Sequence, residues 1–160
     1  MTDKATSEPT IRVCRLEDVK EVLELWRQAD ATPSVTDTPD DLRRAVAESL
    51  AHVLVAVAEG RLVGSIIGTF DGWRGNIYRL AVHPDYRRQG VARALLATVE
   101  KKLAEQGAKR VTALVEKEHE RAMSFWEAVG YRMDERIVRR VRTLHRTAAM
   151  AQGRSDFSPG

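Results

Sequence analysis

The chain has 160 residues, 43% hydrophobic and 31% charged, which fits one globular domain with a real core. Its net charge of +3 is too mild to argue for a nucleic-acid partner. No apolar run approaches the length of a membrane span, the opening MTDKATSEPT has no signal-peptide core, and the single Cys14 points to a reducing cytoplasm.

Residues 1–9 read as a flexible leader, 10–144 as the domain and 145–160 as a Ser/Gly/Pro-containing tail. Thr10 to Cys14 alternates as a first strand. Glu17 and Asp18 then open a helix whose stripe of Val19, Val22, Leu23 and Trp26 has spacing i, i+3, i+4, i+7. Trp26 on that stripe reads first as core, with a binding role as the alternative. A Thr/Pro/Asp-rich loop follows. Thr38-Pro39-Asp40-Asp41 predicts a helix start, with Thr38 as N-cap, carrying Leu42, Val46, Ser49 and Leu50. Val53 to Val57 is a continuous apolar strand, turned at Glu59-Gly60 into a hairpin partner from Leu62 to Phe70. Gly64 and Gly68 inside that partner predict a bulge or a close backbone approach. Asp71 to Gly75 forms the next turn.

The stretch from Tyr78 to Leu103 organises the chain. Tyr78 to Val82 is a strand stopped at His83-Pro84, because proline lacks the N–H that a ladder needs. Val91, Leu95, Val99 and Leu103 then give a helix that ends at Gly107. Its entrance, Arg87-Arg88-Gln89-Gly90-Val91-Ala92, offers unpaired amides, partial positive charge, two arginines and small residues that admit a ligand to the backbone. That combination suits a pyrophosphate. It is neither a Walker loop nor a G-x-G-x-x-G turn. An ordinary βα unit with a solvated basic turn fits the local pattern equally well.

Arg110 to Val115 reads as another strand. Ala122, Phe125, Trp126 and Val129 mark a helix closed by Gly130. Tyr131 to Met133 begins a further strand, and Glu135 to Leu144 is expected as a last, arginine-studded edge strand.

Arg87-x-x-Gly90-x-Ala92, preceded by Leu80-Ala81-Val82-His83-Pro84, resembles the acetyl-CoA signature Q/R-x-x-G-x-G/A of the GNAT superfamily of N-acetyltransferases. His119-x-x-Ala122-x-x-Phe125-Trp126-x-x-x-Gly130-Tyr131 is similar to the family's later motif, N-x-x-A-x-x-[LF]-Y-x-x-x-G-[FY]. The resemblance implies an α/β domain with a mixed, mostly antiparallel sheet of about seven strands flanked by four helices. It implies acetyl-CoA as co-substrate and no metal. The Arg87, Arg88, Gln89, Gly90, Val91 and Ala92 turn would hold the pyrophosphate, and Leu80, Ala81 and Val82 the pantetheine arm. His119, at the family's Asn, would touch that arm. In this family the loop between the first two helices overhangs the acceptor, which makes Thr32, Ser34, Thr36 and Asp37, with Trp26, the substrate candidates. Homodimers are a family habit, and an edge strand gives a route.

Two positions depart from the family. Asn is replaced by His119, and the Tyr near the CoA sulfur, often the general acid, by Trp126, whose indole N–H has no usable proton to give up. The catalytic candidates are therefore Glu116 and His119 as bases and Trp126 as a donor; Glu118 stands beside them. His83 reads as an exposed turn histidine and Tyr78, on the strand face of Leu80 and Val82, as a core tyrosine, with a substitute general acid as the alternative. The expected activity is direct acetyl transfer to a primary amine, on a small molecule or a protein. A non-catalytic acyl-CoA-binding module is the competing reading.

Overall fold

The computed structural model describes residues 8–48 and 51–145. In chain order it holds β1 (Thr10–Val13), a 3-10 turn (Leu16–Asp18), α1 (Val19–Gln28), α2 (Pro39–Ala47), β2 (Ala51–Ala58) and β3 (Arg61–Phe70). Then come β4 (Gly75–Val82), a second 3-10 turn (Pro84–Tyr86), α3 (Val91–Glu105), β5 (Val111–Ala113) and α4 (Glu120–Ala128). The five strands lie in the order β1-β2-β3-β4-β5. Every pairing is antiparallel except β4 with β5, which is parallel.

β2 is apolar from Val53 to Ala58 because both faces of that stretch are covered. Successive side chains of a strand point to opposite sides. Leu54 and Ala56 therefore join Leu95, Val99 and Leu103 of α3 and Trp126 of α4. Val53 and Val55 join Val19, Val22 and Trp26 of α1 and Leu42 of α2. The sheet thus sits between α3 and α4 on one side and α1 and α2 on the other. α3 comes so close that a Cβ at Gly64 would lie 2.9 Å from Leu95 Cδ1 and from Val91 Cγ1, the close approach the two glycines predict.

The helix entrances follow local chemistry. Thr38 Oγ1 accepts the Asp41 amide at 3.1 Å, with Pro39 at the first helical position. Before α1, Asp18 accepts two bonds from Arg12, at 2.6 and 3.0 Å, and one from the Arg15 amide at 2.7 Å. The Arg12 guanidinium, helped by that amide, holds the carboxyl below its usual range.

The sheet has five strands, not about seven. Neither Tyr131–Met133 nor Glu135–Leu144 forms a strand, and Met133, Ile137, Val138, Val141 and Leu144 are exposed. Loose alternation among arginines supplies β-propensity but no partner, and propensity without a ladder does not make a strand. The expected helix residues Ser49 and Leu50, the leader through residue 7 and the tail from residue 146 lie outside the described residues. Among the described residues no helix is long and apolar enough to cross a membrane.

Candidate active site

β4 and β5 part company, and the site lies in the gap. Their pairing runs from Gly75↔Val111 to Ile77↔Ala113 and stops. Just beyond, β4 bulges: Ser65 faces Ala81 while Ile67 faces Tyr78, so β4 spends one more residue than β3. Arg79 absorbs the bulge at φ +53°. Past it, the β4 edge from Tyr78 to Val82 turns toward a cleft of about 730 Å³. The other walls are the turn from Arg87 to Arg93, the segment from Leu114 to Trp126, and Ala29 to Thr32.

The turn is built as a concavity of donors. His83 Nδ1 accepts the Asp85 amide at 3.2 Å, and the Arg87 amide closes on Pro84 O at 3.4 Å. Arg88 at φ +60° and Gly90 at φ +80° then fold the chain into the helix. The first α3 amide with an acceptor is Ala94, bonded to Gly90 O at 3.0 Å. Among the described residues the amides of Val91, Ala92 and Arg93 have none, and no side chain caps the helix. A Cβ at Gly90 would meet nothing within 4 Å, so this backbone is open to a ligand.

Arg87 is partly buried, which lowers its pKa; the charge of Arg121 lowers it further, against a smaller opposite effect of Asp30. Two guanidiniums brought to one partly desolvated wall are relieved by an anion between them. Arg121 was missed from sequence. The available signal was its place in the first turn of α4, where the helix dipole disfavours a cation. Arg93, in the first turn of α3, also lines the cleft.

On the α4 side His119 is the N-cap, its Nδ1 accepting the Ala122 amide at 3.2 Å. That spends the lone pair of the neutral ring and leaves Nε2–H as its free donor. Trp126 is 8% exposed and meets Phe125 and Tyr131 edge-on, with centroids 5.4 and 4.7 Å apart. Among the described residues its Nε1 has no hydrogen-bond partner, yet no buried side-chain nitrogen is sealed without one. The indole N–H therefore keeps some solvent access, and Trp126 lines the cleft. The Tyr131 hydroxyl donates to Glu100 Oε1 at 2.6 Å; burial and then that carboxylate raise its pKa, which keeps the phenol protonated.

Of the sequence candidates, Leu80, Ala81, Val82, Arg87, Arg88, Gly90, Val91, Ala92, Glu116, His119, Trp126 and Thr32 line the cleft. The rest do not. Gln89 turns its side chain back to Asp85 O at 3.3 Å. Trp26 is buried against the sheet, donating to Ser65 Oγ at 2.9 Å. Ser34 and Thr36 are exposed and bond each other at 3.3 Å, and Asp37 is held by Arg79. Two further readings are corrected. Tyr78 is 37% exposed and lines the cleft, because the bulge at Arg79 turns it out of the core. His83 is partly buried rather than exposed, with its ring edge-on to Tyr86 at 5.9 Å. Cys14 lies in the core beneath α1, where burial pushes its thiol up to about 11, so it supplies no nucleophile.

Parted strands facing an amide-rich helix entrance are the architecture of an acetyltransferase. The chain belongs to the GNAT family: the family described as "Acetyltransferase (GNAT) family" matches residues 19–131. A relative from Sodalis glossinidius (strain morsitans), acetyltransferase SG1711, is 38% identical over 128 residues, which cover 80% of this chain and 90% of that protein. Among solved structures, the aminoglycoside acetyltransferase meta-AAC0020 from an uncultured soil metagenomic sample, in complex with sisomicin, superposes with TM-score 0.68 at 20% identity. That match covers 86% of this chain and 97% of the other. The PaiA N-acetyltransferase of Thermoplasma acidophilum, in complex with coenzyme A, gives TM-score 0.69 at 20% identity over 76% of this chain and 88% of the other. At these identities the two structures establish the fold.

Proposed function

We propose that this acetyltransferase moves an acetyl group from acetyl-CoA to a primary amine by direct transfer in a ternary complex. The observation that carries the reading is the junction of the donor-lined turn with the free β4 edge in one cleft. The amides of Val91 to Arg93, with Arg87, Arg88 and Arg121, hold the pyrophosphate. The edge from Leu80 to Val82 holds the pantetheine arm, and His119 Nε2–H donates to it. The N–H of Trp126 and backbone donors of β4 favour charge as it develops on the reacting carbonyl. Glu116 takes the proton from the attacking amine, directly or through one water. Tyr78, the cleft's exposed phenol near the parted strands, supplies a proton to the departing thiolate. Most of the acceleration comes from holding two reactants in line.

Among the described residues no cysteine, serine or lysine lines the cleft, which supports direct transfer over an acyl-enzyme. The fold relative bound to sisomicin makes a small-molecule amine the first class to test. Here, however, the cleft's carboxylates are Asp30 and Glu116, against Arg79, Arg87, Arg88, Arg93 and Arg121. With Arg87, Arg88 and Arg121 on the pyrophosphate and Arg79 paired with Asp37, Asp30 and Glu116 are the carboxylates that face an acceptor amine. The test is thiol release from acetyl-CoA across a panel containing tyramine, sisomicin and a peptide with a free N-terminus. Silence throughout, while acetyl-CoA still binds, counts against the reading. With the best acceptor, Glu116→Gln is expected to lower kcat/KM by about tenfold to a hundredfold near neutral pH. The deficit should shrink as pH rises and the amine deprotonates unaided. An equal deficit at every pH would remove Glu116 from the base role.

We also propose that two copies associate by laying residues 132–144 of each along β5 of the other. Two observations favour it: among the described residues β5 ends the sheet with one edge unpaired, and the exposed Ile137, Val138, Val141 and Leu144 have no ladder. A two-fold pair supplies each deficiency from the other chain. Light scattering should give twice the chain mass, reverting to the single chain in Ile137→Asp/Val141→Asp. A monomeric wild type overturns it.

A further inference from the structure

Arg79 sits inside β4 with φ +53°, a conformation that side-chain-bearing residues avoid and that persists only where the surroundings enforce it. The enforcing contacts all run to one place. Its Nη2 donates to Asp37 Oδ1 and Oδ2 at 2.7 and 2.6 Å, and Nη1 donates to the Thr32 carbonyl at 2.8 Å. Below, its guanidinium carbon lies 5.1 Å from the centroid of Trp26, whose N–H donates to Ser65 Oγ at 2.9 Å. Ser65, fully buried, returns its hydroxyl to the Arg79 carbonyl at 3.4 Å. Asp37 in turn accepts the Ser34 amide at 3.0 Å. Arg79 and Asp37 side chains are only 19% and 18% exposed, so the pair is far less screened than a surface ion pair.

The geometry points to a latch. Thr32 and Asp37 both belong to the loop joining α1 to α2, and Asp30, Ala31 and Thr32 of that loop wall the cleft. One arginine therefore ties that wall to the strand bulge on which the parted sheet depends. We propose that Arg79 is the positioning residue of the acceptor side: it clamps the loop from Asp30 to Thr38 over the cleft and sets how an amine meets the β4 edge. The proposal rests on the transferase reading for its consequence, but the clamp itself can be tested apart from it. Arg79 makes no proton transfer. It acts through the loop it holds, and Trp26 acts by supporting the guanidinium from beneath rather than by touching acceptor.

The test uses Arg79→Gly, Arg79→Asn, Asp37→Asn and the pair Arg79→Asn/Asp37→Asn. Glycine and asparagine both tolerate positive φ, so the bulge is retained while the clamp is lost. Amide hydrogen exchange of residues 30–38, with acetyl-CoA bound, should quicken by about tenfold or more in each single variant. The double variant should exchange no faster than Arg79→Asn alone, because that change already removes the contact that Asp37→Asn takes away. The calorimetric Kd for acetyl-CoA should stay within about twofold of wild type. With tyramine as acceptor, KM should rise by about tenfold while kcat changes by less than about threefold. Unchanged loop protection, an additive double variant, or acetyl-CoA affinity falling in step would each overturn the latch. If wild type turns over no amine, the transferase reading fails, and the exchange experiment still decides whether Arg79 clamps the loop.

Discussion

Gly68→Val is expected to destabilise the protein by about 3 kcal/mol or more, as overpacking in a rigid core does at its upper end. A Cβ at Gly68 would lie 2.3 Å from Val99 Cγ2, with Leu103 Cδ1 at 3.5 Å. Val99 is fully buried midway along α3, packed against the sheet with Leu95 and Leu103. It cannot swing aside, so the helix itself must lift. For a domain of this size each kcal/mol moves the melting temperature by about 2–4 °C. Gly68→Ala should lie between wild type and valine. Urea midpoints read the series directly, and a Gly68→Val midpoint equal to wild type would contradict the packing described here. The damage should also travel, since α3 carries the donor-lined turn at its start.

Gly90→Trp is expected to cut acetyl-CoA affinity by at least about a hundredfold while lowering stability far less than Gly68→Val. Three effects combine at this position. The indole occupies the open space over the turn, where no protein atom lies within 4 Å of a Cβ. The φ of +80° suits glycine and strains any side-chain-bearing residue. A shift of that dihedral also re-aims the amides of Val91 to Arg93, which have no other acceptor among the described residues. Calorimetry on the variant checks this. Wild-type affinity there would move the pyrophosphate away from this turn.

Much of the fold was legible because local signals and burial agreed. Thr38-Pro39 capped a helix, β2 was apolar from Val53 to Ala58 because that stretch is covered on both faces, and the glycines of β3 marked the approach of α3. The donor-lined turn was legible from Arg87 to Ala92 for a similar reason: a helix entrance without a side-chain cap is a local property. What escaped depended on non-local geometry. Tyr78 was misread because alternation was extended through a bulge that no residue of β4 announces; Arg79 is not the glycine that positive φ would suggest. Trp26 read first as core, and packing places it there, beneath Arg79, which its sequence spacing did not foretell. Arg121 reaches the cleft from another element, and only its unfavourable helix position hinted at it. The last two strands were predicted from propensity, but β-structure needs a partner, which the described chain does not supply at β5.

Direct transfer passes the acetyl group between two substrates held side by side in the parted sheet. The most direct measurement follows isotope-labelled acetyl-CoA during turnover with the best amine, recording the intact mass of the protein and of the product together. Direct transfer gives labelled amide in the product and a protein chain that carries no acetyl group at any time. A labelled protein that forms at the rate of turnover and then passes its acetyl group to the amine would contradict it.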